Sequence, residues 1–191
     1  MKKNRLVALI ILMAGAITSA HAQENVLKIN IFSPIVKTFN VSYERKLSAT
    51  GSFQLGAFFT SYSPEDTKFS FFTSYSPEDT KFSGFGITPE YRFYLSETEA
   101  PAGVYVAPFV RYQNFKLTEE SSASKGTYSS FGGGLVIGKQ WIFKEKISID
   151  AFVGPQFSSG NVKVTDGTDN FDTGVFDGFG VRAGLTFGFA F

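Results

Sequence analysis

Nucleophilic catalysis needs an activated side chain, and this sequence is nearly without the groups that activate one. It contains no Cys and a single His, His21. A Ser–His–Asp or Cys–His arrangement needs an imidazole or a thiolate beside the nucleophile. His21 lies in a stretch with the pattern of a removable leader, so the remaining chain has neither group. Carboxylates are the next candidates. Glu65 and Asp66 could do acid–base work as a pair, but Ser63-Pro64-Glu65-Asp66 reads as a solvated turn. Asp166, Asp169 and Asp172, beside Gly167 and Asn170, are oxygen-rich. They lack the twelve-residue ligand order of a calcium loop, so no metal or cofactor is expected there. Gly132-Gly133-Gly134 has no following Lys-Ser/Thr, so it reads as relief of crowding in a strand and not as a phosphate cradle. The sequence therefore predicts no enzyme.

The other chemistry-bearing residues recur at alternate positions. Lys28, Asn30, Glu44, Glu90, Arg92, Arg111, Asp150 and Arg182 each stand next to apolar residues such as Leu27, Ile29, Tyr43, Tyr91, Val110, Ile149 and Val181. Alternation with period 2 is the signature of strands with two unlike faces. The charges come from six predicted strands, four positive (Lys28, Arg92, Arg111, Arg182) and three negative (Glu44, Glu90, Asp150). Such a set can form either a paired network that fills a bore or a ring that selects ions. Eight strands enclose little more than their own side chains, which favours the paired, structural network.

The elements that must position these residues are strands throughout. Alternation and turn residues predict eight, over 25–33, 38–48, 51–62, 82–95, 103–117, 127–140, 146–158 and 176–191. The last is the clearest. Phe179, Val181, Ala183, Leu185, Phe187, Phe189 and Phe191 alternate with Gly178, Gly180, Arg182, Gly184, Thr186, Gly188 and Ala190. One face is greasy and the other is tiny or charged, which suits a crowded interior better than an open surface. The 23 Phe, 8 Tyr and 19 Gly of the composition fit a lipid-facing wall with aromatic girdles. The expected fold is all-β: an eight-stranded, antiparallel, up-and-down transmembrane β-barrel. An even count closes the sheet, so no edge faces lipid.

Lys2, Lys3 and Arg5, the apolar run Leu6–Thr18 and Ala20-His21-Ala22 have the form of a cleavable signal peptide over 1–22. The run is too short for a membrane-spanning helix. The expected mature barrel is 23–191. Three of the 18 basic residues and none of the 17 acidic ones lie in 1–22, so 15 remain against 17, a balance of −2. That is not a nucleic-acid binder's charge. Export of a chain that ends in alternating aromatics predicts an outer-membrane location in a Gram-negative bacterium, with both termini periplasmic. Arg182-x-Gly184-x-x-Phe187-x-Phe189, with the terminal Phe191, resembles the signal read by the barrel-assembly machinery. Other expected partners are outer-membrane lipids and lipopolysaccharide; any extracellular partner is unidentified.

On this reading the turns near 47–51, 96–103 and 141–146 are periplasmic, and 63–81, 118–126 and 159–175 are long polar extracellular loops. Trp141 and Phe143, beside Lys139, Lys144 and Lys146, read as an interfacial anchor. Residues 58–70 (FFTSYSPEDTKFS) are repeated without change as 71–83. Two copies make no solenoid, and one extra strand would separate the termini, so the duplication is expected in an extracellular loop.

The phrases Lys28–Pro34, Val41–Arg45, Gly86–Leu95, Tyr105–Tyr112 and Gly138–Phe143 together resemble a domain-of-unknown-function family of small bacteroidete outer-membrane β-barrels. The resemblance extends over the mature chain apart from the duplicated copy. It implies an OmpA/OmpX-type or porin-like barrel and, since the family has no established activity, no functional residues. The expected role is structural or surface-interacting, without an open pore. The alternatives are a narrow porin-like channel and a soluble, lipocalin-like periplasmic binding barrel.

Overall fold

The structure, a computed structural model, describes residues 24–62, 80–95, 98–119, 125–166 and 177–191. The strands are β1 (Asn25–Asn30), β2 (Thr38–Ser48), β3 (Gly51–Tyr62), β4 (Thr80–Tyr94), β5 (Gly103–Glu119), β6 (Lys125–Phe143), β7 (Ile147–Asp166) and β8 (Gly178–Ala190). Each pairs antiparallel with the next, and β1 pairs with β8, so the sheet closes as an up-and-down barrel. The all-β, eight-stranded expectation holds.

Antiparallel ladders pair each strand with two neighbours, and closure is sealed where β1 begins and β8 ends. Asn25 N–H donates to Phe191 O at 3.0 Å and Phe191 N–H returns to Asn25 O at 2.9 Å. Three connections lie at this end. One is the β6–β7 hairpin, tight because Lys144 and Glu145 both take left-handed φ (49° and 59°). Positive φ at both central residues matches the right-handed twist of the flanking strands.

Several boundaries differ from the sequence reading. β7 runs on to Asp166, not Ser158, because Ser129↔Asn161 and Thr127↔Lys163 continue the ladder with β6. Its upper part is rich in polar and small residues (Ser158, Ser159, Gly160, Asn161, Lys163, Thr165), which made it read as loop. Asp166 accordingly sits opposite Lys125 at a strand end, while Asp169 and Asp172 lie outside the described residues. β1 ends early, at Asn30, and Ser33–Val36 forms a 3-10 turn. The duplication is not confined to a loop: Phe58–Tyr62 of the first copy complete β3, and Thr80–Ser83 of the second open β4. Residues 63–79, with Glu65 and Asp66, lie outside the described residues.

The pleat sorts side chains as alternation requires. Leu27, Ile29, Ile87, Leu135, Ile137 and Val153 are each 44–54% exposed on the outer wall. Lys28, Glu44, Glu90, Arg92 and Asp150 are at most 2% exposed. Apolar outside and charged inside is the reverse of a water-soluble barrel.

Candidate functional site

β8 makes room for the interior. A Cβ on Gly188 would lie 2.6 Å from Leu27 O and 2.9 Å from Lys28 Cγ, so glycine there lets Lys28 lie flat against the wall. From β1, Lys28 Nζ reaches Glu44 of β2 and Gln140 of β6, donates to Gln54 Oε1 of β3 at 2.9 Å, and stands 3.3 Å from Asp150 Oδ2 of β7.

Arg92 of β4 is the second hub. Its Nη1 donates to Asp150 Oδ2 (2.9 Å), Gln140 Oε1 (3.1 Å) and Glu44 Oε2 (3.5 Å), and its Nε to Glu90 Oε1 (2.7 Å). Its guanidinium also lies 4.2 Å above the Tyr105 ring. The carboxylates are saturated from other strands. Tyr94 O–H donates to Glu44 Oε1 at 2.7 Å, Ser52 Oγ to the same oxygen, and Tyr105 O–H to Asp150 Oδ1 at 2.8 Å. Gln140 Nε2 donates to Pro101 O at 2.6 Å. Arg182 of β8 completes the set, its Nη1 2.6 Å from Glu90 Oε2. All eight strands thus contribute a side chain to one network.

Such burial is tolerated only when the charges are paired and hydrogen-bonded, because desolvating each ion costs several kcal/mol. That condition is met with few exceptions: among the described residues Arg92 Nη2, Ser148 Oγ and Thr186 Oγ1 are buried without a partner. Of the seven charges singled out in the sequence, six meet in the network. Arg111 does not. Its Nε donates to Thr88 Oγ1 (3.1 Å) and its Nη1 to Gln156 Oε1 (3.5 Å), with no carboxylate in contact.

Sequence reasoning missed Ser52, Gln54, Tyr94, Tyr105 and Gln140. Parity carried the signal for the first two, since Phe53 and Leu55 alternate with them and face out. The tyrosines counted only in the aromatic composition, although Tyr94 and Tyr105 fall on the inward parity and are 4% and 0% exposed. In the C-terminal segment, Phe187 and Phe189 face outward, 45% and 52% exposed, and Gly184 faces in against Phe152. Trp141 and Phe143 are exposed near the closed end of β6, with Lys139 Nζ 5.3 Å from the Trp141 ring.

Above the network the bore keeps a polar cavity of about 250 Å³, bounded by Asn40, Ser42, Gln54, Thr88, Arg111 and Arg182. Phe58 and Phe152 also line it, and Phe58 packs against a cluster of Phe115 and Tyr128. The arrangement is a stopper at one end and a polar recess above it. Among the described residues there is no group of His, Cys, Asp and Glu side chains able to hold a metal ion.

The chain belongs to the family of proteins of unknown function designated DUF3575, whose sequence pattern matches residues 7–163. The match includes part of the N-terminal leader-like stretch and stops before β8. No curated protein matches the chain. Two solved structures resemble it. The N-terminal β-barrel domain of Pseudomonas aeruginosa OprF is 16% identical, with TM-score 0.44. A major outer membrane protein from Thermus thermophilus is 15% identical, with TM-score 0.48. Each alignment covers 90% of this chain and 100% of the other.

Proposed function

We propose that the protein is an outer-membrane barrel whose bore is stoppered, serving a structural or surface-interaction role and not bulk permeation. The observation that carries this reading is the buried network joining all eight strands, with Lys28, Glu44, Arg92 and Asp150 each at most 1% exposed. A solute would have to break several charge-assisted bonds in a low-dielectric bore, where each is strong. The apolar outer wall supports a membrane location, because that surface in water would be a large exposed patch. It also runs against the soluble lipocalin-like alternative, which needs the greasy face turned inward. Lipid and lipopolysaccharide then cover the wall, the C-terminal strand engages the barrel-assembly machinery, and the long loops face outward. With neither His nor Cys beyond residue 22, the bore lacks the usual activators of a nucleophile, so the reading includes no enzymatic step.

Two measurements test it. In an outer-membrane fraction of a Gram-negative host, the unboiled protein should run faster on a gel than the boiled protein, as a closed, detergent-resistant barrel does. In planar bilayers the folded protein should give no steady conductance. Stable open channels would replace the stoppered reading with the narrow porin-like one. An unshifted band from a soluble periplasmic pool would end both.

A further inference from the structure

The barrel wall is not of even height. β1 stops at Asn30, and its last bond to β8 is Ile31 N–H to Leu185 O at 3.3 Å. The chain then turns through Ser33–Val36 into β2. β8 continues up to Gly178, and from Gly184 to Gly178 it pairs only with β7 among the described residues. The wall therefore has a notch about 20 Å tall, at about 3.3 Å per residue. Backbone groups in an antiparallel ladder alternate in direction, so Ala183 and Val181, in phase with Leu185, aim theirs into the notch. An unsatisfied strand edge within a bilayer is costly.

The notch joins two spaces of opposite character. Inside is the polar cavity of about 250 Å³; outside is a groove of about 550 Å³ lined by Phe32, Ile137, Val153 and Leu185. Asn30, Ser33, Phe152 and Ala183 line both, so only these residues part the inner space from the outer one. Small residues thin the wall at this point: Phe152 packs so close under Gly184 that a Cβ there would stand 2.5 Å from its ring.

The inner space is electropositive. Arg111 and Arg182 line it and no carboxylate does. Arg182 is paired with Glu90, whereas Arg111 contacts only neutral oxygens and ring faces. Thr186, 7% exposed and lining the same cavity, has a hydroxyl with no partner. A planar guanidinium without a counter-ion, in a cavity that also holds a free hydroxyl, is chemistry for a small anionic oxygen group.

We propose that the notch is a binding site for a single-chain anionic amphiphile, a long-chain fatty acid. Its carboxylate lies in the cavity against Arg111 and Thr186, and its acyl chain leaves through the notch along the groove. The upper acyl chain fills the notch beside the open β8 edge and keeps water from it, and the tail stays in an apolar medium. This inference rests on the membrane reading above, because the groove must face lipid.

The test uses the full barrel in phosphatidylcholine vesicles at alkaline pH, probed with spin-labelled stearate and, separately, its methyl ester. Incorporation and the gel shift are read first. A barrel that stays in water overturns the membrane reading and this site together. In vesicles the wild type should immobilise stearate in about tenfold preference to the ester, the scale of one charge-assisted contact. Arg111→Gln should abolish that preference. Ala183→Trp, on the outer face and independent of the buried arginine, should reduce immobilisation of both probes. Ile87→Val, on the wall away from the groove, should change neither. Equal immobilisation of stearate and ester by the incorporated wild type overturns the fatty-acid site alone. So does a stearate preference that survives both Arg111→Gln and Ala183→Trp.

Discussion

Arg182 and Glu90 stand on strands four apart in a ring of eight, and their side chains meet at 2.6 Å across the bore. A pair that spans the diameter of a barrel is a crossbar. Glu90 is also held by Arg92 Nε at 2.7 Å, so the crossbar is anchored to the stopper beneath it. The Arg182 guanidinium lies 4.4 Å from the Phe109 ring and 4.7 Å from that of Phe152, which fixes its height. Breaking one partner strands the other charge away from water.

That asymmetry gives the first prediction. Glu90→Gln leaves Arg182 without its counter-ion and Arg92 with one fewer, and should cost about 3–5 kcal/mol, the scale for an uncompensated buried charge. The double variant Glu90→Gln with Arg182→Gln should be more stable than the sum of the single losses. Urea unfolding of the barrel in detergent, followed by gel mobility, reads all three. Additive losses would mean that the two residues do not interact.

The duplication permits a sharper test. β3 takes its upper end from the start of the first copy and β4 its beginning from the end of the second. Because the copies are identical, one of them holds both ends. Deleting residues 71–83 leaves Phe58–Tyr62 for β3, Ser63–Asp66 as the turn, and Thr67–Ser70 in place of Thr80–Ser83. Tyr62↔Phe82 and Ser61↔Ser83 would be rebuilt in the same register. Loop closure costs depend weakly on length, so the thirteen-residue deletion should leave the gel shift in place and the unfolding midpoint within about 1 kcal/mol of the parent. Loss of the folded band would show that the second copy has a structural role of its own.

How much of this was legible follows from what each pattern encodes. Alternation is local, so β3 and β8 could be read within a residue or two, and the inward parity of Lys28, Glu44 and Asp150 came with it. Which charges meet is not local. Arg111 and Arg182 have the same parity and chemistry, yet only Arg182 reaches Glu90, because strand stagger sets their relative heights. Tyr94 and Tyr105 did not stand out because aromatic residues suit both a girdle and a crowded bore. The notch was out of reach for the same reason as the pairing: it is a difference in height between β1 and β8, two strands at opposite ends of the chain.

The outer wall gives a prediction of opposite sign for membrane and soluble barrels. Leu135, 48% exposed on β6, faces lipid on the present reading. Leu135→Arg should destabilise the barrel in phospholipid vesicles by about 2–4 kcal/mol if it lies near the midplane. On a soluble barrel the same change would be neutral or would improve solubility. Folding titrations into vesicles distinguish the two.

At the closed end, Lys46 Nζ lies 2.6 Å from Glu99 Oε2 in the β4–β5 connection. The hydrogen bond from Lys46, followed by its charge, holds the Glu99 carboxyl below the ordinary glutamate value. A depressed folded-state value means that the pair stabilises above the unfolded-state pKa and is lost as pH falls through the folded one. Because Glu99 is exposed, the effect on stability should be slight. Carbon-detected titration of Glu99 should give a value below that in Lys46→Met, and Glu99→Gln should leave the gel shift unchanged. Equal titration in both proteins would show that the pair does not form in solution.

Phe191 separates folding from assembly. Its main chain closes the barrel with Asn25, which any residue at that position can do, while its ring stacks on Phe189 at 6.4 Å between centroids. If the terminal aromatic is read by the assembly machinery, Phe191→Ala should lower the folded fraction in cells several-fold. The purified variant should still refold in detergent with a midpoint within about 1 kcal/mol of the parent, as surface changes usually do. Equal losses in both settings would make Phe191 a packing residue only. A normal yield in cells would remove the C-terminal strand as the recognition element and move the search to another part of the wall.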